Sequence, residues 1–216
     1  MQHYQDLRIK HQEHFQHFKK QFSIIAIVRL LLVVVILINV WQFIKNNESI
    51  HLIFALATLF VFVVLLQWHK KIKYKRNIQK KLVEINDDEI AYLNQSAIPF
   101  KDGKEYIDTT HLYTYDLDIF GLKSLFQHIN RTASPIGEKT LAHKLSNSIE
   151  PTAIVKHQLA IKELSQKIVF RQLLYAKAKL AKLDQEGYNK LINWSKAEVK
   201  IPSLILKITT FLMPAL

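Results

Sequence analysis

The chain has 216 residues and no cysteine, so neither a disulfide framework nor a thiolate metal site is open to it. Its 30 Lys and Arg against 18 Asp and Glu give a formal charge of +12 at pH 7, which favours anionic partners, nucleic acid or the inner leaflet of a membrane, without choosing between them. Only four glycines occur, which argues against glycine-rich phosphate loops and for an all-helical chain.

Residues 1–21 are polar and basic, with histidines at 3, 11, 14 and 17. His11, His14 and His17 step by three, so on a helix they drift round one face and could be offered to a metal. No carboxylate or cysteine stands at a recognisable spacing, and the plainer expectation is a solvated helix near a membrane surface, with Phe15, Phe18 and Phe22 as its apolar contacts.

Residues 22–44 are apolar and long enough to cross a bilayer at about 1.5 Å per residue against about 30 Å of hydrocarbon. The run is too long for a signal-peptide core. Its one charge, Arg29, is expected to snorkel to the headgroups, and Asn39 to hydrogen-bond a neighbouring helix. A short polar turn leads to a second apolar span at 50–68. Trp41 and Trp68 stand near the ends of their spans, as an aromatic belt requires.

Seven cations follow at once: Lys70, Lys71, Lys73, Lys75, Arg76, Lys80 and Lys81. The turn between the spans has only Lys45, balanced by Glu48. The positive-inside rule then makes 22–68 a transmembrane hairpin with both ends in the cytoplasm. The basic run reads as a topology signal and an anchor on anionic lipid; the alternative is a nucleic-acid patch, for which Tyr74 alone is thin support.

The basic juxtamembrane helix, 69–96, carries Leu82, Ile85, Ile90 and Leu93 as an irregular stripe. From 97 to 114, Pro99, Asp102-Gly103 and Asp108-Thr109-Thr110 mark an irregular connector. Leu125, Phe126 and Ile129 predict a short helix over 124–130. Ser134 then caps a second helix with Pro135 in its first turn, and Leu141, Ala142 and Leu145 form its buried stripe. A long helix is expected from about Thr152 into the 180s, with Ile154, Ile161, Leu164, Ile168 and Leu174 packing and Gly187 ending or interrupting it. Residues 201–216 turn apolar again and read as the start of a third transmembrane helix.

Few residues here point to chemistry. Gly137-Glu138-Lys139-Thr140 fails as a phosphate loop, because Glu138 separates the glycine from the lysine and Thr132 stands where an earlier glycine is needed. Gly137 is better explained by close helix packing or a permissive turn. Asp116 and Asp118 would share one side of an extended strand, and without a partner histidine they steady the entry to the core helix. Arg131 could contact phosphate or tie helix ends together through carbonyls.

The stretch from Leu117-Asp118 through Phe120, Ser124-Leu125-Phe126, Asn130-Arg131-Thr132, Gly137, Leu141-Ala142 and Leu145, and on through Glu150-Pro151, Ile154, His157-Gln158, Ala160-Ile161 and Glu163-Leu164, resembles the start of the core domain of the MutS family, the ATPases of DNA mismatch repair. Many relatives carry arginine where this chain has His157. The resemblance implies an all-α MutS-core-like module at 97–200, with Asp118, Ser124, Asn130, Arg131, Thr132 and Gly137 in its core motif. It also implies that ATP, Mg²⁺, DNA-dependent hydrolysis and homodimerisation belong to a C-terminal domain missing from this chain, which itself holds no catalytic site and no cofactor. The expected protein is thus the N-terminal part of a membrane-anchored MutS-like protein, truncated or split from its ATPase, with DNA as a partner. The alternative is a membrane-anchored helical scaffold that binds a protein and has no DNA function.

Overall fold

The computed structural model describes residues 1–181 and 185–196; the run at 201–216, expected to begin a third span, lies outside them. Every regular element among the described residues is helical, and none is a strand. Helices α1 (Gln2–Asn46) and α2 (Ser49–Leu93) have 45 residues each. A single 3-10 turn (Lys104–Tyr106) leads to α3 (Leu125–Ile129), α4 (Pro135–Ser146), α5 (Pro151–Ser165), α6 (Ile168–Ala181) and α7 (Gln185–Lys196).

At 1.5 Å per residue α1 and α2 are each about 68 Å long, more than twice the hydrocarbon thickness of a bilayer. Both are long and apolar enough to cross a membrane, and only 6% of the most apolar window of each is buried. A core helix of a water-soluble domain would bury most of such a window. The polar N-terminus is not a separate surface helix, because α1 runs through residues 21 and 22 without a break. Neither glycine nor proline interrupts it, and the Ser23 hydroxyl bonds back to the Lys19 carbonyl at 3.2 Å within the same helix.

Non-glycine residues in the left-handed region end both long helices. Asn47 (φ 55) donates its N–H to Phe43 O at 2.9 Å, the single-bond αL cap. Gln95 (φ 55) donates to Tyr92 O at 3.0 Å and Ser96 N to Ala91 O at 3.1 Å, which together make a Schellman motif.

The chain divides into two units. In the first, Glu13–Asn77 among the described residues, side chains of α1 and α2 meet in antiparallel order. Lys75 lies over Phe18 at 5.8 Å, Arg76 over Phe22 at 4.2 Å, and Phe22 contacts the His69 ring at 4.2 Å. Arg29 meets α2. It sits over the Phe62 ring at 5.4 Å, where an aromatic face offers the cation an electrostatic partner. Asn39 bonds its own helix, at Val35 O (2.9 Å), because that carbonyl is the nearest acceptor on the preceding turn.

The second unit, Met1–Gln12 with Ile78–Lys196, has two cores. Ile78, Leu82 and Ile85, at helical spacing on α2, pack against Ala176 of α6, with Tyr175 and Leu180 at the edge. Beside them Asn86 and Gln172 pair through both carboxamides. The second core gathers Ile119, Phe120, Phe126 and Ala142, edged by Tyr106, Tyr113, Leu141 and Leu145. Ring centroids of Phe120 and Phe126 stand 5.4 Å apart, and Tyr106 lies 5.7 Å from each. Gly103 makes this core possible: its φ is +67°, and a Cβ there would meet Phe126 Cδ1 at 2.6 Å.

Two expectations fail in the C-terminal helices. The helix predicted from Thr152 into the 180s breaks after Ser165, and Gly187 lies inside α7 instead of ending a helix. The end of α5 is held from outside the helix, as Arg171 Nη2 donates to Ser165 O at 3.3 Å. Of the predicted stripe, Ile154, Ile161, Leu164 and Leu174 are exposed; α6 instead buries Gln172 and Ala176.

Candidate functional site

The residues singled out from the sequence converge on the turn between α3 and α4. Each helix is opened by a serine. Ser124 Oγ accepts from Gln127 N at 3.2 Å, and Ser134 Oγ accepts from Gly137 N at 3.2 Å with Pro135 following. Gly137 is an ordinary helical residue in close quarters; a Cβ there would lie 3.3 Å from Ser134 Oγ and 3.5 Å from Thr132 Cβ.

Asn130 is buried and shapes the turn. Its Oδ1 accepts from both Thr132 N (3.0 Å) and Thr132 Oγ1 (2.8 Å), while its Nδ2 donates to Lys101 O at 3.2 Å. Arg131 is almost fully engaged. Nε donates to Glu89 Oε1 at 2.6 Å and Nη2 to Glu89 Oε2 at 3.1 Å, a bidentate fork. Nη1 donates to His128 O at 3.0 Å and Asn130 O at 3.2 Å. The guanidinium also lies 3.3 Å from the Phe100 ring centroid and 5.1 Å from that of Tyr92. The arginine therefore ties α2, the 97–103 connector and the α3–α4 turn together. A phosphate would have to displace Glu89 to reach the fork.

Gln127, which carried no signal in the sequence, completes the clamp. It is buried, accepts from Lys123 N at 2.7 Å and donates to Phe100 O at 3.0 Å. Asp116 and Asp118 do not share one side of a strand. Both are exposed in a run of turns, and Asp118 is left-handed (φ 48) with its carbonyl accepting from Leu125 N at 3.2 Å. The turns around them brace the end of α4, where Tyr113 Oη donates to Leu145 O and His111 Nε2 to Ser146 O, each at 2.9 Å. His157 lies 3.4 Å from Lys144 Nζ.

A half-open cavity of about 470 Å³ adjoins the turn, lined by Tyr4, Glu89, Arg131, Ile168, Phe170 and Arg171. Burial, reinforced by the Glu89 charge, pushes the Tyr4 hydroxyl above its ordinary pKa of 10.0. Among the described residues no three His, Asp or Glu side chains gather as a metal site. His11 instead meets Gln79 Oε1 at 2.8 Å, and His17 meets Gln21 at 3.0 Å.

The seven cations of the basic run are not equivalent. Lys70, Lys71, Lys73 and Lys75 are exposed, and so is Tyr74. Arg76 is half-buried and shared between Phe22 and Asn77 Oδ1 (3.0 Å). In the other unit Lys81 and Lys80 answer to Glu84, at 2.5 and 3.9 Å. Compared with known proteins, the chain matches no family model, no curated protein and no solved structure.

Proposed function

We propose that this chain is the membrane anchor and helical connector of a MutS-like, DNA-handling ATPase system. The anchoring half rests on one observation: only 6% of the most apolar window of α1 and of α2 is buried, and two apolar stretches of that length left uncovered are costly in water. The antiparallel contacts from Lys75–Phe18 to Arg29–Phe62 support a transmembrane hairpin, and the cations at 70–81 support a cytoplasmic location for both of its ends. The exposed Lys70, Lys71, Lys73 and Lys75 then lie against anionic headgroups. The MutS-like half rests on the residues between Leu117 and Leu164, and in this reading ATP hydrolysis and dimerisation are supplied from outside these 216 residues.

A scaffold role without DNA is the second reading, and Arg131 favours it. Its donors are engaged by Glu89 and two backbone carbonyls, so the most prominent cation of the core motif acts on the fold itself.

The chain has no cysteine, so single cysteines report topology cleanly. Asn47→Cys should react with an impermeant maleimide from outside intact cells, and Thr110→Cys only after permeabilisation; the reverse pattern would overturn the cytoplasmic assignment. For the DNA role, the full chain in neutral-lipid nanodiscs should bind duplex DNA with affinity that falls steeply with salt. Binding confined to anionic lipid would leave the scaffold reading standing.

A further inference from the structure

Among the described residues, helix α7 presents an exposed apolar face. With 3.6 residues per turn, Tyr188, Leu191, Ile192 and Trp194 share one arc of about 160°, which also takes in Gly187 and Ser195, and Glu186, Asn189, Asn193, Lys190 and Lys196 occupy the rest. None of Glu186–Lys196 is buried: Leu191 is 52% exposed and Trp194 77%. A 12-residue helix is marginal alone in water, so such a face needs a surface to cover it.

The rims of the arc indicate which surface. Lys190 stands beside Trp194 on one edge and Lys196 beside Ile192 on the other, so two cations flank the apolar strip with stems long enough to lie along it. Lys190 shares its charge with Glu186 at 2.6 Å, which leaves Lys196 to give the helix a net positive sign. Lysines on both margins and an indole at the boundary would serve a protein interface too, but the net positive sign of the helix favours an anionic surface. A headgroup layer accommodates both. The sequence continues from α7 through four residues into the apolar run IPSLILKITTFLMPAL, which keeps this part of the chain close to any bilayer that run meets.

We propose that α7 lies in the surface of an anionic bilayer, with Leu191, Ile192 and Trp194 turned toward the acyl chains and Lys190 and Lys196 among the headgroups. This rests on the membrane reading given above.

The three tryptophans allow the two readings to be tested separately. Full-length W68F/W194F keeps only Trp41, in a span; W41F/W68F keeps only Trp194. Each is reconstituted into phosphatidylcholine vesicles containing one quarter phosphatidylglycerol, with and without brominated acyl chains. Both tryptophans should lose about half of their emission to the bromines, as residues at or below headgroup level do. Leu191→Asp in the second variant should abolish the loss at Trp194. Quenching of Trp41 without Trp194 overturns the inference and leaves the membrane reading intact, whereas loss of neither signal removes both. A Trp194 signal that survives Leu191→Asp, or that blue-shifts with protein concentration but is never quenched, also overturns it, the latter by showing that a second copy covers the face.

Discussion

Asn86 and Gln172 bond each other in both directions, at 3.3 Å from Asn86 Nδ2 and 2.9 Å from Gln172 Nε2, in the seam where α2 packs on α6. Both side chains are buried, and Asn86 Nδ2 also reaches Leu82 O at 2.7 Å. A satisfied amide pair adds little net stability, but it penalises any register of α6 on α2 that separates the two groups. Truncating one partner strands the other without water. Gln172→Leu should therefore cost about 1–3 kcal/mol, whereas the double change Asn86→Leu/Gln172→Leu should cost less than Asn86→Leu and Gln172→Leu added together. Denaturant unfolding of the four proteins in one detergent measures the coupling; simple additivity would show that the pair is not energetically linked.

The clamp at Arg131 makes a different prediction. Arg131→Ala leaves the Glu89 carboxylate, largely sheltered from solvent, without its fork, and should cost about 2 kcal/mol or more. Arg131→Lys should recover only part of that, because an ammonium neither forks onto a carboxylate nor stacks on Phe100 as a planar guanidinium does. Melting temperatures of the three proteins give the order. Full rescue by lysine would mean that charge alone matters there.

Gly103→Ala tests the aromatic core. The substitution places a side chain at φ +67° and drives its Cβ into the Phe126 ring, which is itself packed against Phe120 and Tyr106. The strain of a left-handed alanine and the overpacking together should cost about 2–4 kcal/mol. Loss of near-ultraviolet aromatic dichroism at lower temperature than in the parent would report it.

Asp88 supplies a pH dependence. Burial, joined by the charges of Glu84, Asp87 and Glu89, holds its carboxyl above the ordinary value of 3.8, although Lys179 pulls the other way. The folded chain then keeps this proton to higher pH than the unfolded chain does. The group's contribution is most favourable below 3.8 and declines as pH rises through the raised value. Asp88→Asn should accordingly match the parent in melting temperature at about pH 3 and exceed it at about pH 7. A difference that shrinks with rising pH would contradict the assignment.

What the sequence revealed of this fold was local. Ser124 and Ser134 announce their helices because a cap depends only on the residue and the next turn. Arg131 stood out, but Glu89, 42 residues away, could not be named as its partner. Nothing in the sequence sets Asn86 and Gln172 apart, since a single sequence does not tell a solvated amide from one paired across a seam. The break after Ser165 lacks glycine or proline and is held by Arg171 from the next helix, whereas Gly187 suggested an end that does not occur. Apolar periodicity found Leu82 and Ile85 but misassigned Ile154, Ile161 and Leu164, because a stripe shows that a face will be covered, not that this chain covers it.

With so few glycines, the tight reversals of the chain fall to residues that bear side chains. Asn47, Gln95, Asp118 and Lys123 all have positive φ, and a residue with a Cβ gives up about 1 kcal/mol at such a place, asparagine and aspartate somewhat less. This chain therefore holds stability in reserve at known addresses. Gln95→Gly, at the Schellman position closing α2, should raise the unfolding free energy by about 1 kcal/mol without touching a core, a charge or a membrane contact. A biochemist preparing this protein in detergent could recover that margin one substitution at a time, starting with Gln95 and Lys123.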